Sequence, residues 1–298
     1  SINYKQNFGK HEVDGGLFTE VVKNDFRNFG FTGYGFTNGF TNEAGLTAGS
    51  TANANFIPAI GGGGTRNGIL SYFGIFNYGY DSKYYVTLVG RRDGSSRFGA
   101  NNRWGTFPSV GAGWVVSDEP FMSDLPAVSF MKLRASLGII GNNNLGNYTS
   151  YALINNTVNG VFGNTVATGA AVSSLANPNL GWETTQQLDL GLDLNLYNDR
   201  ITFAYDYYLK NTTNLLYAVQ IAQESGFGNF NDNIGEIKFW GHEFSFNTKN
   251  TMGKVKWTTN ANISFNRNVV VALAPGIDRV YGSFHITKVG QPFGQFYG

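Results

Sequence analysis

The chain has 298 residues, a net charge of +1, 14% charged residues and no cysteine. The balanced charge argues against a basic nucleic-acid-binding surface, and the missing cysteine excludes disulfides and cysteine-based zinc sites. No run of about 18 apolar residues is present, so the sequence encodes no transmembrane helix.

Ten strands are predicted, and most of them are long. Aromatic residues make up 15% of the chain and glycines number 40, a composition that favours strands with glycine-rich loops over helices. In chain order the predicted strands cover residues 1–8, 11–29, 67–80, 83–97, 104–117, 129–140, 182–198, 200–217, 236–250 and 254–270.

The clearest predicted strand contains residues 188–196. Leucine occupies every even position there, while aspartate, glycine and asparagine occupy the odd positions. Residues 131–139, 201–209 and 257–265 alternate in a similar way, which is the pattern of a strand with one apolar face. Strands of soluble proteins average about 5–6 residues, whereas these patterns are as long as the roughly 9–11 residues of a membrane-spanning strand. The sequence therefore predicts an all-β protein, an antiparallel transmembrane β-barrel.

The connections between the predicted strands alternate in length. Short turns rich in glycine, asparagine and aspartate follow the first strand and lie at 81–82, 198–199 and 250–253. The long connections are 30–66, 98–103, 141–181, 218–235 and the residues after 271, with 118–128 as a moderate exception on the side of the short turns. Outer-membrane barrels have short periplasmic turns and long extracellular loops, so the long connections are predicted to face the cell exterior.

Charged side chains occupy positions opposite the apolar residues. A lysine or arginine that faced lipid at the membrane midplane would cost about 2–4 kcal/mol, so these side chains are predicted to point into the barrel lumen. The candidates are Arg91, Asp93, Lys132, Arg134, Asp189 and Asp193. Two roles are open for them: a salt-bridge network that holds the wall in shape, or direct contact with a substrate. No individual residue is predicted to bind substrate.

No pattern in the sequence predicts a catalytic site, a metal site or a cofactor site. His11, His242 and His285 lie in separate segments without the spacing of metal ligands. Asp189 and Asp193 share a strand face at a separation of roughly 13 Å, which is too far for the carboxylate pair of a glycosidase. We therefore expect a protein that is not an enzyme.

Two tryptophans are spaced to mark both membrane interfaces. Trp104 and Trp114 lie about 33 Å apart along an extended strand, and tryptophan favours the headgroup region. This interpretation requires both rings to lie on the lipid-facing side. Nearby, Gly94 and Gly99 are predicted to allow sharp backbone turns at the extracellular rim, and Pro108 is predicted to lie where it costs no ladder hydrogen bond.

Several motifs follow one another between residues 85 and 183, and another lies near the end of the chain. They are Arg92-Asp93-Gly94-Ser95-Ser96-Arg97-Phe98-Gly99, Asn102-Arg103-Trp104-Gly105 with Phe107-Pro108-Ser109-Val110, Ala112-Gly113-Trp114, Lys132-Leu133-Arg134-Ala135-Ser136 with Gly141-Asn142, Asn177-Pro178-Asn179-Leu180 with Trp182-Glu183, and Gly290-Gln291-Pro292 with Gly294 and Tyr297-Gly298. In this order, the motifs resemble the SusC/RagA family of TonB-dependent outer-membrane transporters.

The resemblance implies more than the residues show by themselves. Members of that family form a 22-stranded barrel around an N-terminal plug that TonB energises, and a SusD-like surface lipoprotein covers the extracellular loops. Their substrates are oligosaccharides and sometimes peptides. Residues 1–298 would then be about ten strands of a single barrel domain, with the plug, the TonB-binding region and the C-terminal strands outside this chain. The lipoprotein would contact the loops 30–66, 141–181 and 218–235.

Two other interpretations are compatible with the strand pattern. A passive pore or a surface structural or adhesion barrel would have the same alternation, and only a plug upstream would distinguish an importer from it. A soluble β-sandwich would also alternate, and it requires the leucine face at 188–196 to pack on a second sheet.

Overall fold

The computed structural model describes residues 1–34, 59–281 and 284–296. Its strands are β1 (Ile2–Phe8), β2 (His11–Thr32), β3 (Ala59–Tyr80), β4 (Tyr84–Ser95), β5 (Trp104–Val115), β6 (Val128–Asn142), β7 (Ile154–Phe162), β8 (Thr165–Val172), β9 (Glu183–Leu196), β10 (Ile201–Thr213), β11 (Leu216–Gln220), β12 (Asn229–Asn233), β13 (Glu236–Met252), β14 (Lys256–Ala272), β15 (Arg279–Tyr281), β16 (His285–Lys288) and β17 (Gln295–Phe296). Within these ranges, no helix is long and apolar enough to cross a membrane.

Ten of these strands form one sheet, in the order β1-β2-β3-β4-β5-β6-β9-β10-β13-β14. Each of the ten predicted strands is confirmed in it, and every pair with a described register is antiparallel. The remaining strands form small sheets within the long connections: β7 with β8, β11 with β12, and β15 with β16 and β17. The long connections therefore contain β-structure that the alternation did not predict.

The chain divides into two compact units, Ser1–Val21 with Ile69–Gly298, and Val22–Gly68. In the second unit, Arg66 Nε lies 2.9 Å from Asp25 Oδ2. The first unit contains the six candidate lumen residues and the motifs between residues 92 and 183.

One prediction about the second unit was wrong. The glycine run 61–64 was expected in the loop 30–66, but it lies in β3. A Cβ on Gly62 would lie 2.8 Å from the carbonyl oxygen of Asn28, so glycine lets the two backbones approach closely within a strand. Residues 35–58 of the predicted loop lie outside the described residues.

The two faces of the ten-stranded sheet differ in polarity. Paired residues of an antiparallel ladder point to the same face, so the register defines rows of side chains. One row consists of Tyr84, Trp114, Leu133, Leu192, Tyr205, Phe244 and Ile263. The adjacent row consists of Tyr85, Gly113, Arg134, Gly191, Asp206, Glu243 and Ser264. We call these two surfaces the apolar face and the polar face.

The apolar face is uncovered. Leu133 is 39% exposed, Leu190 44% and Ile263 56%, and among the described strands no second sheet packs against them. The sandwich interpretation is therefore wrong. A surface of this kind is stable when lipid covers it, as on the outside of a transmembrane barrel.

Aromatic side chains lie at both ends of β5 on the apolar face. At the end with the short turns, the rings of Trp114 and Tyr84 stack with their centroids 6.4 Å apart. At the end with the long connections, the rings of Trp104 and Tyr72 stack at 6.3 Å. Both tryptophans therefore share the lipid-facing side, as the interface interpretation requires.

The turn end also contains a hydrogen-bonded acid, from which a pH effect follows. Glu119 Oε1 accepts hydrogen bonds from the Tyr84 hydroxyl and from Trp114 Nε1, and Glu119 Oε2 lies 3.6 Å from Lys83 Nζ. The Tyr84 hydrogen bond, followed by that of Trp114, lowers the pKa of Glu119 below its ordinary value of 4.5. The hydrogen bonds to ionised Glu119 therefore stabilise the fold fully above pH 4.5, and this stabilisation is lost as the pH falls through the lowered pKa of Glu119.

We expect the urea concentration at the unfolding midpoint of the full-length barrel to decrease as the pH is lowered through this acidic range. The variant Glu119→Gln should be less stable than the wild type at neutral pH and should show a smaller fall on acidification. Equal acid sensitivity of the two proteins would contradict the assignment of this pH dependence to Glu119.

Candidate functional site

All six predicted lumen residues lie on the polar face. The register pairs Lys132 with Asp193 and Ser136 with Asp189, and it pairs Arg91 on β4 with Phe107 on β5. Four of the six residues form two separate ion-pair clusters, each centred on one arginine.

The first cluster is centred on Arg134. Its Nε and Nη2 donate to the two carboxylate oxygens of Asp193 at 2.8 and 3.0 Å, and Nη2 also lies 2.9 Å from Asp206 Oδ1. Gly191 separates Arg134 from Asp206 in the row, and a Cβ there would lie 2.6 Å from the guanidinium carbon. Glycine thus leaves the space through which one arginine bridges three neighbouring strands.

The second cluster is centred on Arg91. Its Nε donates to both oxygens of Asp93 at 2.8 and 2.7 Å, and Nη2 donates to Ser71 Oγ at 3.0 Å. Nη2 also lies 3.4 Å from Glu20 Oε2, and the guanidinium stands over the Phe73 ring at 4.9 Å. Arg91 therefore joins β2, β3 and β4.

The other two predicted residues belong to neither cluster. Lys132 Nζ lies 5.1 Å from the centre of the Tyr85 ring. Asp189 accepts hydrogen bonds from Gln187 Nε2 at 2.8 and 2.9 Å and from Ser136 Oγ at 3.3 Å.

Asp206 and Glu20 complete the two clusters, and the sequence reasoning missed both. The signal for Asp206 was available, because it alternates with the apolar positions of 201–209. Its partner could not be read from the alternation, since the partner depends on which strands are adjacent.

A second candidate site lies at the end of the long connections. Residues 96–103, here called the rim loop, dock on residues 177–182, here called the docking segment. Gly99 N donates to Leu180 O at 2.8 Å and Asn101 N donates to Pro178 O at 3.0 Å. Backbone pairing therefore fixes the rim loop along the docking segment.

The docking explains the rim glycines. The prediction of a sharp turn was wrong for Gly94, which lies in β4, whereas Gly99 begins a turn closed by a hydrogen bond from Asn102 N to Gly99 O at 3.2 Å. Neither Gly94 nor Gly99 has a positive φ. A Cβ on Gly99 would collide with the carbonyl group of Pro178 and lie 2.6 Å from the oxygen of Asn177, while a Cβ on Gly94 would lie 2.9 Å from the Trp104 ring. Both positions need glycine because other atoms approach closely.

The contact between these segments has its own small core. Phe98 and Leu180 are fully buried, and the Trp182 ring lies 4.9 Å from the Phe98 ring and 5.2 Å from the Phe107 ring. Trp182 Nε1 donates to Arg103 O at 3.0 Å. Part of the buried apolar core of this unit therefore lies at the rim.

Pro108 lies beside this core, at the point where one ladder of β5 begins. The pairing of β5 with β6 starts at Ser109, one residue after Pro108. In the other ladder, Pro108 is paired with Gly90 of β4.

The docking segment also holds the connection 214–235. Asn177 Nδ2 donates to Asn231 O at 2.8 Å, and Asn233 Oδ1 accepts from Gly181 N at 2.6 Å while Asn233 Nδ2 donates to Gly181 O at 2.9 Å. Three long connections are thereby joined into one structure, here called the loop assembly: 96–103, 143–182 and 214–235.

The histidines are engaged elsewhere. Nδ1 of His11 shares a hydrogen bond with the Tyr78 hydroxyl, and Nδ1 of His242 shares one with the Tyr205 hydroxyl. His285 lies in β16. Among the described residues, no group of three or more histidines or acids is placed to hold a metal ion.

Comparison with known proteins gives a consistent result. Residues 2–292 match the family described as TonB dependent receptor-like, β-barrel. TonB-dependent receptor P39 of Formosa agariphila is 42% identical over 78% of this chain and 22% of the relative. TonB-dependent receptor SusC of Bacteroides thetaiotaomicron is 39% identical over 73% of this chain and 22% of the relative.

A solved structure shows the same strand arrangement. The RagAB peptide importer in its open-open state matches with a TM-score of 0.87 and 27% identity, over 99% of this chain and 32% of that chain. The chain thus spans between about a fifth and a third of the length of these proteins.

Proposed function

Because the chain belongs to the family of TonB-dependent receptor-like β-barrels, we propose that it forms part of the wall and of the extracellular loops of an importer driven by TonB. The family consists of transporters and receptors rather than enzymes, and its members lie in the outer membrane of Gram-negative bacteria. We propose residues 1–298 as part of a single barrel domain, without catalytic activity of their own.

The proposed substrate is a neutral oligosaccharide, and the polar face of β13 and β14 is the observation that carries this choice. Exposed asparagines line it at Asn247, Asn260, Asn262 and Asn266. An amide offers both donors and an acceptor without charge, which suits the hydroxyl groups of a sugar. The charged side chains of the wall pair with one another, and these ion pairs serve mainly to hold neighbouring strands together.

A peptide is the second candidate substrate. The likeness to the RagAB peptide importer favours it, and the clusters of Arg91 and Arg134 would offer charges to peptide termini. Growth experiments separate the two candidates. A strain that depends on the full-length protein should grow on the cognate oligosaccharide but not on a peptide as sole nutrient.

The dependence of growth on TonB distinguishes active import from diffusion through a passive pore. Loss of growth on the oligosaccharide after deletion of tonB, with growth on the monosaccharide intact, is the expected result. Unchanged oligosaccharide growth would support the pore instead.

The loop assembly is the proposed docking surface for a SusD-like lipoprotein. Ordering flexible loops on binding costs free energy, and hydrogen bonds already join these three connections before any partner binds. The connection 30–66 was predicted to contribute to this surface, and its residues 35–58 lie outside the described part of the chain.

We expect Asn177→Ala to weaken binding of the lipoprotein by about tenfold, since loss of a buried hydrogen-bonding group costs about 1–3 kcal/mol. Asn177 is 5% exposed and connects the docking segment to β12. Co-purification of the lipoprotein with the full-length barrel measures the effect. Asn7→Ala, at an exposed position of β1 outside the loop assembly, is the matched control, and equal effects of the two variants would argue against the docking surface.

A further inference from the structure

The apolar face carries a single charged residue across three neighbouring strands. In β4, β5 and β6, the residues that point to this face are apolar, small or aromatic except for Arg92. Arg92 is exposed and lies toward the end with the long connections. An arginine on a lipid-facing surface carries a desolvation cost unless an anion or water meets it.

Below Arg92 the apolar face has a groove. Its floor is formed by Gly74, Gly90 and Pro108, which lie on neighbouring strands and project little from the sheet. The larger side chains of Phe76, Leu88 and Val110 project beside this floor. The groove has a volume of about 820 Å³. Bilayer lipid would have to fill it, because water in an apolar groove at this depth has no hydrogen-bond partners.

The groove continues toward the cation. An adjoining depression of about 430 Å³ shares Leu17, Gly74 and Gly90 with the groove and reaches Arg92. Arg92 stands two residues from Gly90, about 7 Å along the strand. The Arg92 guanidinium carbon also lies 5.5 Å from the centre of the Trp104 ring, which orders the cation at the interface.

We infer that this groove and Arg92 together bind a phosphorylated, acylated lipid of the outer leaflet. One acyl chain fills the groove along Gly74 and Gly90, and a phosphate of the headgroup pairs with Arg92. The long connections place this end at the cell exterior, so the lipid is one of the outer leaflet. The inference depends on the membrane location of the barrel and not on its substrate.

The alternative is that Arg92 only extends to the interface as long cations generally do. Arg267 is the internal comparison, since it is also exposed on the apolar face, paired with Trp240. Neither the groove nor the adjoining depression includes Arg267. General electrostatic attraction would act on both arginines, whereas a lipid site acts on Arg92 alone.

Native mass spectrometry of the full-length receptor in detergent tests the inference. The added lipids are bisphosphorylated lipid A, its dephosphorylated form and phosphatidylethanolamine, and inorganic phosphate serves as a competitor. We expect the wild type to retain bisphosphorylated lipid A preferentially. Arg92→Gln should lower retention about fivefold, the effect of one basic residue beside an anionic headgroup, and Arg267→Gln should not.

A second variant tests the groove. No atom lies within 4 Å of a Cβ built on Gly90, so Gly90→Phe should fold, fill the groove and lower retention of both acylated forms of lipid A. Equal effects of Arg92→Gln and Arg267→Gln, or full retention by a folded Gly90→Phe, would overturn the inference. Displacement by inorganic phosphate alone would also overturn it, because a free anion would then be the ligand. If the Gly90→Phe variant fails to insert in the membrane, the comparison of Arg92→Gln with Arg267→Gln tests the inference by itself, because both arginines are exposed.

Discussion

Replacing Gly99 by valine is expected to detach the rim loop from the docking segment and to abolish lipoprotein docking. A Cβ at this position meets the backbone of Pro178 and Asn177, which cannot move without opening the contact. Overpacking of this kind costs about 1–3 kcal/mol, and exposure of Phe98 or Leu180 adds about 1.5–3 kcal/mol for each side chain. We expect lipoprotein affinity to fall by at least tenfold, equivalent to about 1.4 kcal/mol.

The measurement combines co-purification of the lipoprotein with limited proteolysis of intact cells. In the Gly99→Val variant, the rim loop should become accessible to protease while the barrel still inserts in the membrane. Gly253→Val is the matched control, because Gly253 lies in the short turn between β13 and β14, outside the loop assembly, with no atom within 4 Å of the added Cβ. Normal docking by a Gly99→Val protein with a protected rim loop would refute the prediction.

Replacing Arg134 by alanine is expected to destabilise the wall. It removes three contacts to Asp193 and Asp206 and leaves two carboxylates facing each other across β9 and β10. A hydrogen bond to a charged group contributes about 1.5–3 kcal/mol. The side chains are between 33% and 39% exposed, so solvent screening lowers the expected loss to about 1–2 kcal/mol.

The urea midpoint of the full-length barrel in detergent measures this loss. Adding Asp206→Asn to the Arg134→Ala variant should restore part of the stability, because it removes the repulsion between the two acids. Asp189→Asn is the control, since Asp189 accepts hydrogen bonds from neutral groups only, and its effect should be smaller. An equal loss in Asp189→Asn and Arg134→Ala would show that the cluster has no special role.

These two variants separate the functions of two regions. Gly99→Val acts on the loop assembly and should leave the wall stable, whereas Arg134→Ala acts on the wall and should leave the docking surface formed. A loss of both properties in either variant would mean that the wall and the loops depend on one another.

The candidate site was only partly predictable. The sequence alternation placed six charged residues on one face, and their pairing in the structure required the neighbours that alternation does not specify. Arg134 reaches Asp206 because β9 lies between β6 and β10 and carries Gly191 at the crossing. Charge pairing between strands is decided by register, and several registers satisfy the same alternation.

The loop assembly was less predictable still. The motifs at 92–99 and 177–183 were recognised by their resemblance to a family, but nothing in the sequence indicated the atoms that approach Gly94 and Gly99 closely. The small sheets β7–β8 and β11–β12 also escaped prediction. The described side chains of β7 and β8 are almost all exposed, and β11 and β12 have only five residues each, so no apolar periodicity marks these strands.

Alternation and turn residues were enough to predict the ten strands, their apolar and polar faces and the end at which the long connections lie. These properties depend on local alternation and turn residues, because a strand in a membrane must place every second side chain toward lipid. The tertiary structure alone decided which charges pair, why the rim glycines are needed and where a groove opens beneath Arg92. Those features depend on distances between segments far apart in the chain, and the sequence pattern of any one strand contains no information about its neighbour's register.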